Sequence, residues 1–192
     1  MNVLLVGDSI RIGYCQQVKE KLSDIAEVRY SDDNARFAKY ILFCIREWID
    51  QYGADADVVV LNCGLWDVVH MREASYTITE LGEYRTDLVK IIGQIREALP
   101  AAKIIWASIT PVDEEGNRRS RPDHIRYNAD IEAFNHCAED VMLENGCEIC
   151  DLYAVIKNAS YALWTDGVHY TPEGYALLAN AVTDKICAVM SR

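Results

Sequence analysis

No stretch of the sequence approaches the roughly 20 consecutive apolar residues that a bilayer-spanning helix needs, so a membrane is not an expected partner. The first residues already read as a strand. They lack the charged start, long apolar core and cleavage site of a signal peptide, and the expected location is the cytoplasm. Positive charge is scarce: 19 Lys and Arg stand against 30 Asp and Glu, a formal net charge of -11. Such a field repels phosphate backbones, so nucleic acid is not an expected partner either. The one local exception, Arg118, Arg119 and Arg121, lies in a stretch containing Gly, Asn, Ser and Pro and reads as a solvated loop in preference to an anion site. Repeats, low-complexity segments and composition breaks are also missing. With 192 residues, 51% of them apolar, the chain reads as one domain spanning residues 1–192 with a sizeable core of its own.

Cysteine is present, but not as a disulfide framework. Cys15, Cys44, Cys63, Cys137, Cys147, Cys150 and Cys187 are odd in number and spread over expected helices and strands, the pattern of reduced, mostly buried thiols. Cys147-Glu148-Ile149-Cys150 has the spacing of a zinc or redox pair. No second pair accompanies it, and it falls on a short late strand, so core packing is the preferred reading and neither metal nor cofactor is expected.

Short apolar or β-branched runs recur at 2–6, 27–30, 57–62, 103–107 and 147–151, and helical periodicity fills the intervals at about 12–22, 37–51, 79–99 and 125–145. A last helix follows Pro172. In 79–99, Leu81, Tyr84, Leu88, Ile91, Ile92, Ile95 and Leu99 recur at three and four positions and mark one buried face, which Pro100 ends. Strands alternating with helices of this length favour right-handed crossovers. The expected fold is α/β: a three-layer α/β/α sandwich around a five-stranded parallel sheet. The loops 70–78 and 112–124 leave carboxyl ends of strands and would flank the crevice where open α/β sheets bind ligands.

At that edge the first strand stops at Gly7-Asp8-Ser9-Ile10. A serine there can present its hydroxyl, but it needs a base and an orienting group to become a nucleophile. Both occur near the other end of the chain. Asp166-Gly167-Val168-His169 comes just before Thr171-Pro172-Glu173-Gly174, where Thr171 can cap a helix and Pro172 can occupy its first turn. A tight turn at Gly167 would fold Asp166 onto one imidazole nitrogen and leave the other for Ser9.

Gly7-Asp8-Ser9 with Gly13, Gly64-x-x-Asp67 after the third strand and Asp166-x-x-His169 together resemble the SGNH (GDSL) hydrolases, in order and spacing over essentially the whole chain. The resemblance implies a flavodoxin-like sandwich and hydrolysis of a small acyl ester, commonly acetyl, on a sugar, lipid or other small molecule. It also implies Ser9 as nucleophile, His169 as base and Asp166 as its partner.

Two positions depart from the family pattern. Trp66 stands where an oxyanion-binding asparagine is usual, and Asp32-Asp33-Asn34-Ala35-Arg36 stands where a glycine is usual after the second strand. The Ser9 amide, Asn34 and Asn62 are the candidate oxyanion donors. Asn62 is chosen because it shares side-chain parity with position 66 if the chain stays extended, and each asparagine could equally tie down its loop. Trp66, His70, Trp164 and Tyr170 are candidates for an acyl or sugar wall, or are core. Asp67 is expected to brace the site, and Arg36 and Arg126 to pair with surface carboxylates in preference to binding an acidic substrate group. The same triad could pass the acyl group to an acceptor alcohol. A chain whose altered oxyanion positions abolished turnover would be a binding module, although intact Ser9, Asp166 and His169 argue against that.

Overall fold

The computed structural model describes residues 1–72, 74–159 and 163–191. In chain order its elements are β1 (Asn2–Gly7), α1 (Ser9–Leu22), β2 (Glu27–Tyr30), α2 (Ala38–Tyr52), β3 (Val58–Asn62), β4 (His70–Met71), α3 (Leu81–Ala98), β5 (Lys103–Ala107), α4 (Glu114–Ser120), β6 (His124–Ile125), α5 (Asn128–Glu144), β7 (Glu148–Cys150), α6 (Leu152–Lys157) and α7 (Pro172–Met190). Five strands form one parallel sheet in the order β2-β1-β3-β5-β7. Both faces are covered: α1 packs on α7, while α2 packs on α3 and α3 on α5. Strands buried on two faces need continuous apolar runs, and β3 (Val58, Val59, Val60, Leu61) is buried at every position. The hydrophobic face of α3 falls as expected at Tyr84, Leu88, Ile91, Ile92, Ile95 and Leu99, which are buried, but Leu81 in its first turn is exposed. Among the described residues no helix is long and apolar enough to cross a membrane.

The strand order reverses direction between β1 and β3, so the crevice of this sheet opens at the carboxyl ends of those two strands. Gly7, the last residue of β1, pairs in register with Asn62, the last of β3. Of the two loops expected to flank the crevice, 112–124 reaches it through Arg121 and 70–78 does not line it, and both hold more structure than their composition suggests. Residues 70–71 and 124–125 pair as a two-stranded antiparallel ribbon. The stretch read as a solvated basic loop contains α4: Glu114 and Glu115 occupy its first turn and Arg118 and Arg119 its last, the charge arrangement that complements a helix dipole. A Glu115–Arg119 pair at 3.4 Å adds to it. The fourth expected helix starts at Asn128 instead of 125, because 124–125 are taken by β6, and α6 is a short helix that periodicity did not reveal.

The seven cysteines are free. Burial pushes the Cys147 thiol up and that of Cys150 to about 12, which keeps both protonated at neutral pH.

Candidate active site

Ser9 sits where β1 turns into α1, and its neighbours explain the turn. A Cβ on Gly7 would lie 2.7 Å from the Arg11 Cβ and 2.9 Å from the Asn62 carbonyl oxygen, so the strand end tolerates only glycine. Asp8 is extended and caps α1, its Oδ1 accepting from the Ile10 amide at 2.9 Å. Asp8 is fully buried, and its Oδ2 has no hydrogen-bond partner. Burial raises its carboxyl to about 6; the Ile10 amide and the charges of Arg126, Arg11 and His169 offset only part of that rise. Ser9 itself is half-buried at the first position of α1.

The opposite wall comes from the turn before α7. Asp166 Oδ1 accepts from the amides of Val168 (3.0 Å) and His169 (2.7 Å), and its Oδ2 faces His169 Nδ1 at 2.8 Å. Gly167 makes this turn possible with φ +81°. A Cβ there would lie 2.0 Å from the Asn117 nitrogen, so α4 presses directly on the turn. Thr171 caps α7 by accepting from the Gly174 amide at 3.3 Å, with Pro172 next to it. The outcome is a chain of contacts: His169 Nε2 lies 2.9 Å from Ser9 Oγ. Since a carboxylate only accepts, Nδ1 carries the imidazole proton and Nε2 is left to accept from the serine hydroxyl. Burial works against the Asp166 charge, but the His169 amide, the His169 ring and the Val168 amide outweigh it and hold the carboxyl well below the usual range. Arg121 also donates to Asp166 Oδ2, at 3.2 Å.

Ser9 and His169 open into a cleft of about 120 Å³ lined by Asn34, Leu65, Trp66, Arg121, Arg126 and Val168. A larger hollow of about 270 Å³ is lined by Ser108 and His136 among others, but the Ser108 hydroxyl donates to Asp151 Oδ1 at 3.1 Å and accepts from the Tyr153 amide at 2.9 Å, with no hydrogen bond to the histidine, so size does not mark the site. Asn34 reaches the cleft. Its Oδ1 accepts from the Arg36 amide at 3.1 Å, and its carboxamide nitrogen has no protein partner among the described residues. Trp66 also reaches it, its ring packed edge-on to Phe37 (centroids 5.7 Å apart) with the Arg126 guanidinium 6.0 Å from its centre.

Several expected site residues stand elsewhere. Asn62 does not line the cleft; its carboxamide nitrogen donates to the Ala107 carbonyl at 3.2 Å and its Oδ1 is buried without a partner. The parity argument for it fails because the chain stops being extended at Gly64 (φ +123°) and turns through the following residues. His70 is drawn away by the β4–β6 ribbon: its Nδ1 meets the Ala74 carbonyl and its Nε2 meets Asp130 Oδ2, both at 2.9 Å. Tyr170 is 3% exposed and donates to the Pro111 carbonyl at 2.7 Å, and Trp164 Nε1 donates to the same oxygen at 3.2 Å. These two aromatics brace the loop behind the histidine and do not wall the cleft. Asp67 accepts from the Ala38 amide at 3.1 Å and from the Thr79 hydroxyl at 2.9 Å, and burial raises it to about 7. It ties the start of α2 to the loop before α3.

Arg126 departs furthest from expectation. Among the described residues it pairs with no surface carboxylate; it is 3% exposed and lies in the cleft. Nothing in 124–126 signals this, because its place depends on tertiary contacts: the β4–β6 pairing beside it, the Asn117 Oδ1 that accepts from its amide at 2.9 Å and the Leu65 carbonyl that accepts from its Nε at 2.6 Å.

Residues 5–177 match the GDSL-like lipase/acylhydrolase family. The chain belongs to that family, and it is a serine ester hydrolase by type. Solved structures of the same fold include an acetyl xylan esterase (20% identity, covering 97% of this chain and 100% of that one, TM-score 0.74). A carbohydrate esterase family 3 protein from Talaromyces cellulolyticus shares 18% identity over 100% and 98% of the two chains, with a TM-score of 0.71. The carbohydrate acetylesterase Est24 from Sinorhizobium meliloti shares 15% over 98% and 99%, also with a TM-score of 0.71. At these identities the likeness establishes the fold. No curated protein sequence matches the chain at a significant level.

Proposed function

We propose that this esterase, a single domain over residues 1–192, removes a small acyl group, such as acetyl, from a sugar or other small molecule through an acyl-Ser9 intermediate. The observation that carries the reading is the continuous Ser9 Oγ, His169 Nε2, His169 Nδ1, Asp166 Oδ2 contact chain, with links of 2.9 and 2.8 Å. His169 takes the Ser9 hydroxyl proton at Nε2 while Oγ bonds to the ester carbonyl carbon, and the carbonyl electrons move onto its oxygen. The Ser9 amide and the free carboxamide nitrogen of Asn34 are the donors for that oxyanion. Each such donor typically contributes roughly 3 kcal/mol to the transition state. When the tetrahedral adduct collapses, the carbon–oxygen bond to the alcohol breaks and His169 returns its proton to that oxygen. Water, deprotonated by His169, then attacks the acyl carbon, the bond to Ser9 Oγ breaks, and His169 returns the proton to Oγ as the acid leaves. Asp166 holds the ring in the required tautomer and stabilises its cationic form. The narrowness of the cleft favours a short acyl chain, and the names of the carbohydrate esterases sharing the fold accord with an acetylated sugar.

The test is hydrolysis of p-nitrophenyl acetate by purified protein, with Ser9→Ala and His169→Ala alongside. A broad panel of acyl esters turned over no faster by wild type than by Ser9→Ala would refute the proposal.

A further inference from the structure

The cleft beside Ser9 holds a buried guanidinium, that of Arg126, which no carboxylate among the described residues contacts. The Arg126 guanidinium is held by neutral groups: Nε donates to the Leu65 carbonyl at 2.6 Å, Nη1 to the His124 carbonyl at 3.3 Å, and the Trp66 ring lies beneath it. Nη2 makes no hydrogen bond to the protein among the described residues, and no carboxylate there forms an ion pair with the group. Asp8 and Asp166 act on it only through the field. Burial lowers the guanidinium to about 10, which still leaves it charged at neutral pH. Burying a cation without a counter-ion costs folding free energy, and a buried unpaired charge is not expected unless something else meets it. Arg121 lines the same cleft, and its one carboxylate partner among the described residues, Asp166, is already committed to His169. Two guanidiniums at one small cleft do not follow from composition either, since the chain as a whole carries a charge of -11.

We propose that the Ser9 cleft takes an ester that carries a carboxylate near its reacting carbonyl, with Arg126 as the principal receptor and Arg121 as the second. The inference rests on the esterase reading and names its substrate class. A guanidinium fork matches a planar carboxylate, and Nη2 is the free end presented to it. At about 120 Å³ the cleft is well below the roughly 300–1,000 Å³ of ordinary small-molecule sites, so the carboxylate lies within a few bonds of the ester. In an acidic protein the two arginines also supply the local attraction that an anionic substrate needs to approach.

The experiment compares kcat/KM for two matched ester pairs, each corrected for its rate of alkaline hydrolysis. On the acyl side these are p-nitrophenyl butyrate and mono-p-nitrophenyl glutarate; on the alcohol side, phenyl acetate and m-acetoxybenzoate. Wild type should favour the carboxylate member of at least one pair by about tenfold or more, the usual worth of a charge-assisted hydrogen bond. Arg126→Gln should bring that ratio to about one, Arg126→Lys to an intermediate value, and Arg121→Gln should lower it by a smaller factor. The alcohol product m-hydroxybenzoate should inhibit competitively if the alcohol-side pair shows the preference. Should Arg126→Gln fail to fold by circular dichroism, the Arg126→Lys and Arg121→Gln ratios decide. Preference for the neutral ester in both pairs overturns the proposal, as does an Arg126→Gln loss that is equal for both members of a pair, since that would make Arg126 an oxyanion donor or a brace. If Ser9 takes a neutral fluorophosphonate and neutral esters turn over without any anionic preference, this inference alone falls. If neither labelling nor turnover occurs, the esterase reading falls and takes this one with it.

Discussion

Asp8→Asn should stabilise the protein at neutral pH and weaken its activity. The Asp8 carboxyl is fully buried with Oδ2 unpartnered, and burial raises it from 3.8 to about 6. In the unfolded chain the same carboxyl ionises near its ordinary value, so between about pH 4 and 6 the folded state binds the extra proton. Stability therefore falls as pH rises through that window. Two units of difference at 1.36 kcal/mol each amount to about 3 kcal/mol, fully expressed above pH 6. Asparagine keeps an oxygen to accept from the Ile10 amide and removes the charge. Its new NH2 donor adds a cost that does not depend on pH, so the slope is the decisive quantity. The stability difference between Asp8→Asn and wild type should grow by up to about 3 kcal/mol between pH 4 and pH 7. For a chain of this size that corresponds to roughly 6–12 °C in Tm, readable by scanning calorimetry across pH. Because the Asp8 charge acts on His169 and Arg126, p-nitrophenyl acetate turnover should fall about tenfold, or roughly 1.4 kcal/mol of transition-state free energy. A Tm difference that stays constant from pH 4 to 7 would refute the burial argument.

Ser9→Ala and His169→Ala should each lose about a thousandfold or more in kcat, and the double variant no more than either alone, because the two act as a unit; additive losses would show that they do not. Asp166→Asn should cost about a hundredfold or more in kcat with far less change in KM, since the ring loses its tautomer and its counter-charge; unchanged kcat would mean that Arg121 and the backbone suffice to position His169. Gly167→Ala should destabilise by at least about 2 kcal/mol in urea unfolding, combining a positive φ with a Cβ placed against the α4 backbone; a near-neutral result would mean that α4 can move freely. Asp67→Ala leaves the Ala38 amide and Thr79 hydroxyl unpaired and should cost about 2 kcal/mol by the same measurement; no loss would show that other contacts hold those loops.

The sheet and its helices were legible because each carries a periodic apolar signal: β3 is a run of buried Val and Leu, and α3 buries one stripe. The pieces of the triad were legible because each sits beside a local boundary signal, a strand end for Ser9 and a Thr-Pro helix start for Asp166 and His169. Asn62 was misjudged by the same kind of reasoning. Parity counts only along an extended chain, and Gly64 ends the extension two residues later. The fates of His70 and Arg126 depend on tertiary contacts, among them the pairing of 70–71 with 124–125 across more than fifty residues, which leaves no periodic trace in two-residue strands.

Several residues around the β1–α1 turn lie outside any periodic pattern and also cost stability. The orphaned buried polar atoms include Asp8 Oδ2, Arg11 Nε, Tyr14 Oη and Asn62 Oδ1, which lie on or beside the β1–α1 turn. Folding alone would replace such groups with apolar ones. Binary patterning describes what a core prefers, so it finds the scaffold and passes over groups kept against that preference. Asp8 and Arg126 make the point together: each is buried, their charges are opposite, and they attract through the field without forming an ion pair. Collapse onto one another would lower the cost of both, and it would also take the Arg126 fork out of the Ser9 cleft. The Leu65 carbonyl and the Trp66 ring hold the guanidinium in the cleft instead, and the unpaired geometry is the form in which the site can receive an anion.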